Sequence, residues 1–175
     1  MLLISYGYVM LTIILILIIL SLVLFVSIKP INALLFKNKL LKKLKSFISE
    51  NKKEDLFKYK NMPYDYMLIL RKSVYYIRLI SNINNYNVHY EDSKFYYRDK
   101  KLKKNKELNI ESFIKFAPEE DKNRDIKKLL IVYPNCDFIY NHLDKNNSLF
   151  VYIDDEIGGI HIIGGNDFIN LEEII

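Results

Sequence analysis

"PYDYMLILRKSVYYIRLISN", Pro63 to Asn82, is the stretch on which the reading of this chain turns. Two runs within it, Tyr64–Arg71 and Val74–Ser81, are rich in Tyr, Ile, Leu and Val, which suit a half-buried pleated surface, and a short polar break divides them. They predict an antiparallel hairpin. Asp65 stands at the start of the first strand and Arg78 lies inside the second, between apolar neighbours. If the chain turns through Lys72-Ser73, Asp65 faces Ile80 and lies diagonal to Arg78 on one sheet face, within reach of a long side chain.

Further along, "NVHYEDSKFYYRD" predicts a second hairpin, Val88–Tyr90 and Lys94–Arg98, around a Glu91-Asp92-Ser93 turn. "KKLKKNKELN" is a charged loop, and "IESFIKFAPEEDKNRDIKKL" is expected to be mostly helical, with Pro118 near a helix start. "LLIVYP" is an apolar run whose core, Leu129–Tyr133, is expected to be a buried central strand. A short helix around Asp137–Leu143, strands at Leu149–Ile153 and Ile160–Ile163, the acidic turn "DDEIGG" and a last helix from about Asn166 or Asp167 through Glu173 complete the pattern. Such alternation predicts a mixed α/β domain.

Toward the N-terminus, "MLLISYGYVMLTIILILIILSLVLFVSI" runs 28 residues without a charge. About 20 helical residues at ~1.5 Å rise cross the ~30 Å hydrocarbon layer, so one spanning helix fits. The run lacks the basic start and small-x-small end of a signal peptide, and an uncleaved anchor is expected. No Lys or Arg precedes it, whereas Lys29, Lys37, Lys39, Lys42, Lys43 and Lys45 follow, which places the rest of the chain on the cytoplasmic side of the cell membrane.

In "PINALLFKNKLLKKLKSFISENKKEDLFKYK", Leu34, Leu41, Leu44 and Ile48, with Leu40 and Phe47 alongside, recur at helical spacing between lysines. This basic amphipathic helix has two compatible uses. Its lysines can lie on anionic lipid headgroups, or its apolar stripe can pack into the following domain. Nucleic acid is a third, weaker partner, because lysines beside an inward membrane end are expected for topology alone. The organisation is therefore an anchor at 1–28, a basic helix and linker at 29–60, and an α/β domain at 61–175.

The net charge of +5 is uneven: residues 29–60 hold ten Lys against three acids, and residues 61–175 hold sixteen basic against eighteen acidic residues. The basic character is juxtamembrane. A single Cys136 forms no internal disulfide, and His89, His142 and His161 are too scattered for a zinc spacing. His161 is expected to be a satisfied sheet histidine and His142, beside Asp144, a surface group. "DDEIGG" lacks the ligand spacing of a calcium loop, and "GGIHIIGGND" matches neither a Walker nor a dinucleotide fingerprint.

The order of helix, strand hairpin, further strand, helix and apolar strand, over roughly Ala33 to Tyr133, resembles the restriction-endonuclease-like PD-(D/E)xK fold, and within it the nuclease-related domain family. The resemblance implies an Asp opening the second core strand, an acid-x-Lys motif on the next, and a helical Glu that can complete the site. Pro63-Tyr64-Asp65 is similar to the first piece. "YYIRLIS" puts Arg78 where the motif acid falls and Ile80 where the lysine falls. Ala117-Pro118-Glu119-Glu120-Asp121 departs at both ends from the family's Asn-Pro-x-x-Gln stretch. Two carboxylates are needed to hold Mg²⁺, and a lysine to stabilise phosphate charge or activate water. Asp65, Arg78 and Ile80 are thus vestigial candidates, with no metal or other cofactor expected.

The expected function is that of a single-pass membrane protein with a catalytically degenerate nuclease-like cytoplasmic domain, a binding or scaffolding module with an unidentified protein partner. One alternative is a membrane-tethered Mg²⁺-dependent nuclease using Asp65 with a displaced acid and lysine, such as Asp92 and Lys94, or Glu50 or Glu54. Another is a structural or regulatory membrane protein with no nucleic-acid role.

Overall fold

A computed structural model describes residues 2–49, 54–99, 105–144, 147–165 and 167–175. Helix α1, Leu2–Ser46, runs 45 residues without a break and continues through Pro30. Its apolar part carries large hydrophobics, Met10 to Ile28, about half exposed or more, at a mean hydropathy of 3.3. It is long and apolar enough to cross a membrane. Beyond Pro30 the helix changes character. Ala33, Leu40 and Leu44 are buried, and the Phe36 ring stacks on Tyr133 with centroids 5.3 Å apart, so one stripe of α1 docks on the domain.

Among the described residues nine strands form one mixed sheet. β1 (Asp55–Lys58), β2 (Tyr66–Ile69) and β3 (Ser73–Glu91) make an antiparallel meander. β6 (Asp125–His142) lies parallel to β3, β9 (Ile160–Gly164) parallel to β6, and the two-residue β8 (Glu156–Ile157) closes that edge antiparallel to β9. β4 (Lys94–Asp99) pairs the distal part of β3 and carries β5 (Asn105–Glu107), while β7 (Ser148–Phe150) pairs the distal part of β6. The domain is therefore α/β with a mixed sheet, as expected.

The near half of the sheet is covered on both faces. Leu40 and Leu44 of α1, with Leu171 and Ile174 at the C-terminal 3₁₀ turn η1 (Phe168–Glu173), cover the face of Leu68, Ile77, Leu129, Ile131 and Ile163. On the opposite face Leu130, Val132, Ile160 and Ile162 join Tyr86, Val88, Phe95 and Ile139 from the far half and Phe113 of the short helix α2 (Glu111–Lys115). Near and far residues of this face thus share one apolar cluster. Leu129 to Val132 are fully buried, as the apolar run predicts for a central strand.

Several expectations change. The predicted strands at Val74–Ser81 and Val88–Tyr90 are a single strand, β3. The expected helix at Asp137–Leu143 is strand almost throughout, because β6 continues to His142. The helix predicted across Ile110–Leu129 ends at Lys115, where Phe116 turns extended (ψ 119°) two residues before Pro118, a ring that disfavours helical backbone ahead of it. Phe116 then packs at 5.3 Å from Tyr64 and 5.1 Å from Tyr76. The stretch 100–109 expected as a charged loop contains β5, the strand expected at Leu149–Ile153 stops at Phe150, and the last helix is the short 3₁₀ turn η1. Finally, the sheet starts before residue 61, since β1 pairs β2 from Asp55.

Candidate functional site

The hairpin turns through Arg71-Lys72, with the Leu70 N–H donating to the Ser73 carbonyl at 2.9 Å, not through Lys72-Ser73. Tyr66 consequently pairs with Ile77, and the Asp65 N–H also donates to the Ile77 carbonyl at 2.8 Å. Asp65 and Tyr66 both stand against Ile77, as in a β-bulge, and a bulge re-aims a side chain. The expected Asp65–Ile80 facing pair is replaced by direct contact between Asp65 and Arg78. One Asp65 oxygen, Oδ1, lies 3.4 Å from Arg78 Nη1, and the other, Oδ2, accepts the Leu79 backbone N–H at 2.8 Å.

Both side chains are about one-third exposed, Arg78 at 31% and Asp65 at 36%, which limits the pair to under about 1 kcal/mol. Arg78 Nε is buried without a partner. Ile80 packs against the apolar cluster that includes Leu130 and Val132. The result is a carboxylate with each oxygen committed to a donor, beside a fixed positive charge. A divalent cation at Asp65 would have to displace the guanidinium and withstand its repulsion. Among the described residues no three metal-ligating side chains converge.

The described residues of the nuclease alternative, Glu54, Asp92 and Lys94, do not gather around Asp65. Asp92 and Ser93 form the left-handed turn between β3 and β4 (φ 50° and 63°), at the other end of β3, and Lys94 pairs with Glu107 at 3.4 Å. Glu54 accepts from the Ser49 N–H at 2.8 Å and the Ser49 hydroxyl at 2.7 Å, which holds its carboxyl below the usual range. Glu50 lies outside the described residues. Of the α1 lysines, Lys39, Lys42 and Lys45 are exposed, Lys37 is half-buried, and Lys43 bonds Glu172 of the C-terminal turn at 2.7 Å. "DDEIGG" is an acidic strand connection, as expected, in which Asp155 accepts the Tyr152 N–H at 2.8 Å. Gly158 and Gly159 there adopt φ 58° and 76°, and a Cβ on Gly158 would stand 3.1 Å from the Tyr90 hydroxyl.

A second constellation was not anticipated. His89 Nδ1 lies 2.8 Å from His142 Nε2, so His142 is not an isolated surface group. The His89 ring stacks on Tyr140, centroids 5.1 Å apart, and Tyr140 packs 4.9 Å from Phe150. Burial foremost, then the His142 ring and the Arg98 charge, lowers the His89 pKa to about 4. His89 Nε2 is buried without a partner, and we assign the proton to Nδ1, because this leaves a lone pair unpaired instead of an N–H. His161 differs from expectation too, with Nδ1 buried and unpartnered. No sequence signal links His89 to His142, which meet only through the β3–β6 register, His89 opposite Tyr140.

In comparisons with protein-family models, curated proteins and solved structures, the chain matches none.

Proposed function

We propose that the chain is a single-pass protein of the cell membrane whose cytoplasmic α/β domain has a restriction-endonuclease-like core without a working metal site, and acts as a binding or scaffolding module at the bilayer. Three features support the architecture. α1 leads into an antiparallel β1-β2-β3 meander, α2 follows, and β6 returns parallel to β3, in the order the resemblance implies. The 28 uncharged residues before Lys29 and the lysines after it support span and orientation. Bilayer lipid is then the first partner, with the α1 lysines Lys37, Lys39, Lys42, Lys43 and Lys45 on the side of the anionic leaflet.

The observation that carries the non-catalytic reading is the commitment of both Asp65 oxygens, one to Arg78 and one to the Leu79 N–H. A two-carboxylate Mg²⁺ site needs those lone pairs and a second acid where Arg78 stands. The purified full-length chain, incubated with DNA and Mg²⁺, is expected to show no cleavage that differs between wild type and Asp65→Ala. Mg²⁺-dependent cleavage lost in Asp65→Ala would establish a nuclease instead.

A further inference from the structure

Where α1 leaves its apolar run, it forms one wall of a crevice of about 430 Å³ against the sheet. Pro30, Ala33, Leu34 and Lys37 line one side, at spacings that share a helix face, and Ser81 and Tyr133 line the other. The two sheet residues are register partners on β3 and β6. Their side chains hydrogen-bond each other, and burial raises the Tyr133 pKa, so the phenol stays neutral and can donate. The Phe36 ring, stacked on Tyr133 at an interplanar angle of 10°, fixes the orientation of the phenol. One wall of the crevice is thus mostly apolar helix, and an ammonium and two hydroxyls, one of them on the exposed Ser81, border the same space.

Lys37 differs from the other half-buried lysine of this helix. Lys43 has Glu172 at 2.7 Å, whereas Lys37 has no ion pair with a described residue. The lysine is half-buried as a residue, and a crevice-lining ammonium without a counter-charge among the described residues favours an anion. Asp65 is close enough to Tyr133 to affect it, but its charge is matched by Arg78. Height along the helix selects the source of the anion. Counted from Ile28, a rise of about 1.5 Å per residue places Ala33 roughly 8 Å and Lys37 roughly 14 Å along the axis. Helical side chains slant back toward the N-terminus, and a lysine stem reaches back along apolar surface, so the Lys37 ammonium falls near the headgroup layer, about 5–8 Å deep. Lys42 lies roughly 21 Å beyond Ile28, more than twice the Debye length of about 8 Å.

We propose that this crevice binds one anionic phospholipid of the leaflet α1 enters, its phosphate on Lys37 and on the hydroxyls of Ser81 and Tyr133, its glycerol and upper acyl region along Pro30, Ala33 and Leu34. The inference rests on α1 spanning the bilayer. It goes beyond that reading by assigning the lipid contact to one built site in place of a diffuse lysine face.

The test uses the full-length chain reconstituted in phosphatidylcholine nanodiscs containing a minority of phosphatidylglycerol, followed by transfer to mild detergent and native mass spectrometry of the retained lipid. Wild type should retain phosphatidylglycerol in preference to phosphatidylcholine. Lys37→Gln should lower that retention about fivefold, the loss expected for one lysine near a lipid surface. Lys37→Arg should preserve it, and Lys42→Gln, on the same helix but far from the crevice, should leave it unchanged. Tyr133→Phe should weaken it while Phe36 stacking keeps the ring in place. Equal losses in Lys37→Gln and Lys42→Gln, or equal retention of both lipids, would overturn the site. Displacement of the lipid by inorganic phosphate beyond that caused by chloride at equal ionic strength would make it a soluble-phosphate site and overturn the lipid occupant. Alkaline extraction of the same membranes separates the two ideas: an extractable chain removes the span and the proposal together, while a chain that resists extraction but shows no Lys37 effect removes the proposal alone.

Discussion

The two long strands at the centre of the sheet pass through two different environments. In their near halves, around Ile77 and Leu129 to Val132, both faces are covered, one by α1 and the C-terminal turn, the other by the apolar cluster that includes Phe113 of α2, and the side chains are fully buried. In their far halves one face still contributes Val88 and Ile139 to the core, but the other carries His89, Tyr140 and His142, with Phe138 and Phe150 about half exposed beside them. The same pair of strands is therefore core over one stretch and surface over the next. Alternation along the strand, lost where both faces are buried, returns where only one is.

This contrast is broken most severely at Ile131. Ile131→Asp places an unpaired carboxylate in the doubly covered half, and more than about 4 kcal/mol of destabilisation is expected, enough to prevent folding of a marginally stable domain. Thermal unfolding of the full-length chain in detergent near the wild-type temperature would show that this half is not the core. Acid should act next, and on the far half. The unfolded His89 keeps its ordinary value of 6.5, whereas the folded one is held at about 4, so between those values the unfolded chain binds the extra proton. Stability should be complete above about pH 6.5 and fall as pH drops toward about 4, with a slope of at most about 1.4 kcal/mol per pH unit. His89→Gln should flatten that slope. An unchanged slope would mean that the far half does not bury His89.

Smaller effects mark the boundary between the halves. A double-mutant cycle of Asp65→Ala and Arg78→Met, read by denaturant unfolding, should give a coupling of under about 1 kcal/mol, because both side chains are one-third exposed. A coupling several times larger would place the pair inside the covered half. The smallest change is expected at Phe150→Ser on the exposed face, within about 0.5 kcal/mol of wild type by the same measurement. A loss above about 2 kcal/mol there would show that the far face is covered in solution.

The near half was legible in the sequence because its signal is local. Leu129 to Val132 is an uninterrupted apolar run, and the Tyr64–Ser81 hairpin alternates around a polar break. The far half was hidden by polar residues in mid-strand. Asn82, Asn84, Asn85 and Asn87 break the apolar pattern of β3, and Pro134, Asn135 and Asp137 do the same in β6, so each strand looked finished at residue 81 or 133. The parallel pairing slips its register between Asn82 and Val88, where a proline without an N–H is tolerated. Asp65 and Arg78 could be placed together by reach alone, although the assumed turn was misplaced by one residue. The His89–His142 pair could not, since its partners are 53 residues apart and meet through a register that no local pattern encodes. The left-handed Asp92-Ser93 turn, by contrast, was visible as a polar break between strands.

Helix α1 crosses from its exposed apolar run to its docked stripe without an intervening loop, which gives the domain an angular position as well as a tether. Each residue of an α-helix advances about 1.5 Å and turns about 100°. Inserting one alanine between Ile31 and Asn32 would therefore swing the domain by about 100° around the helix axis while lifting it by only about 1.5 Å. Seven inserted residues would add about 10 Å of height and bring the domain back within about 20° of its original bearing. The bearing of the sheet relative to the exposed apolar run is in this sense a matter of phase, set by the residue count between that run and Ala33.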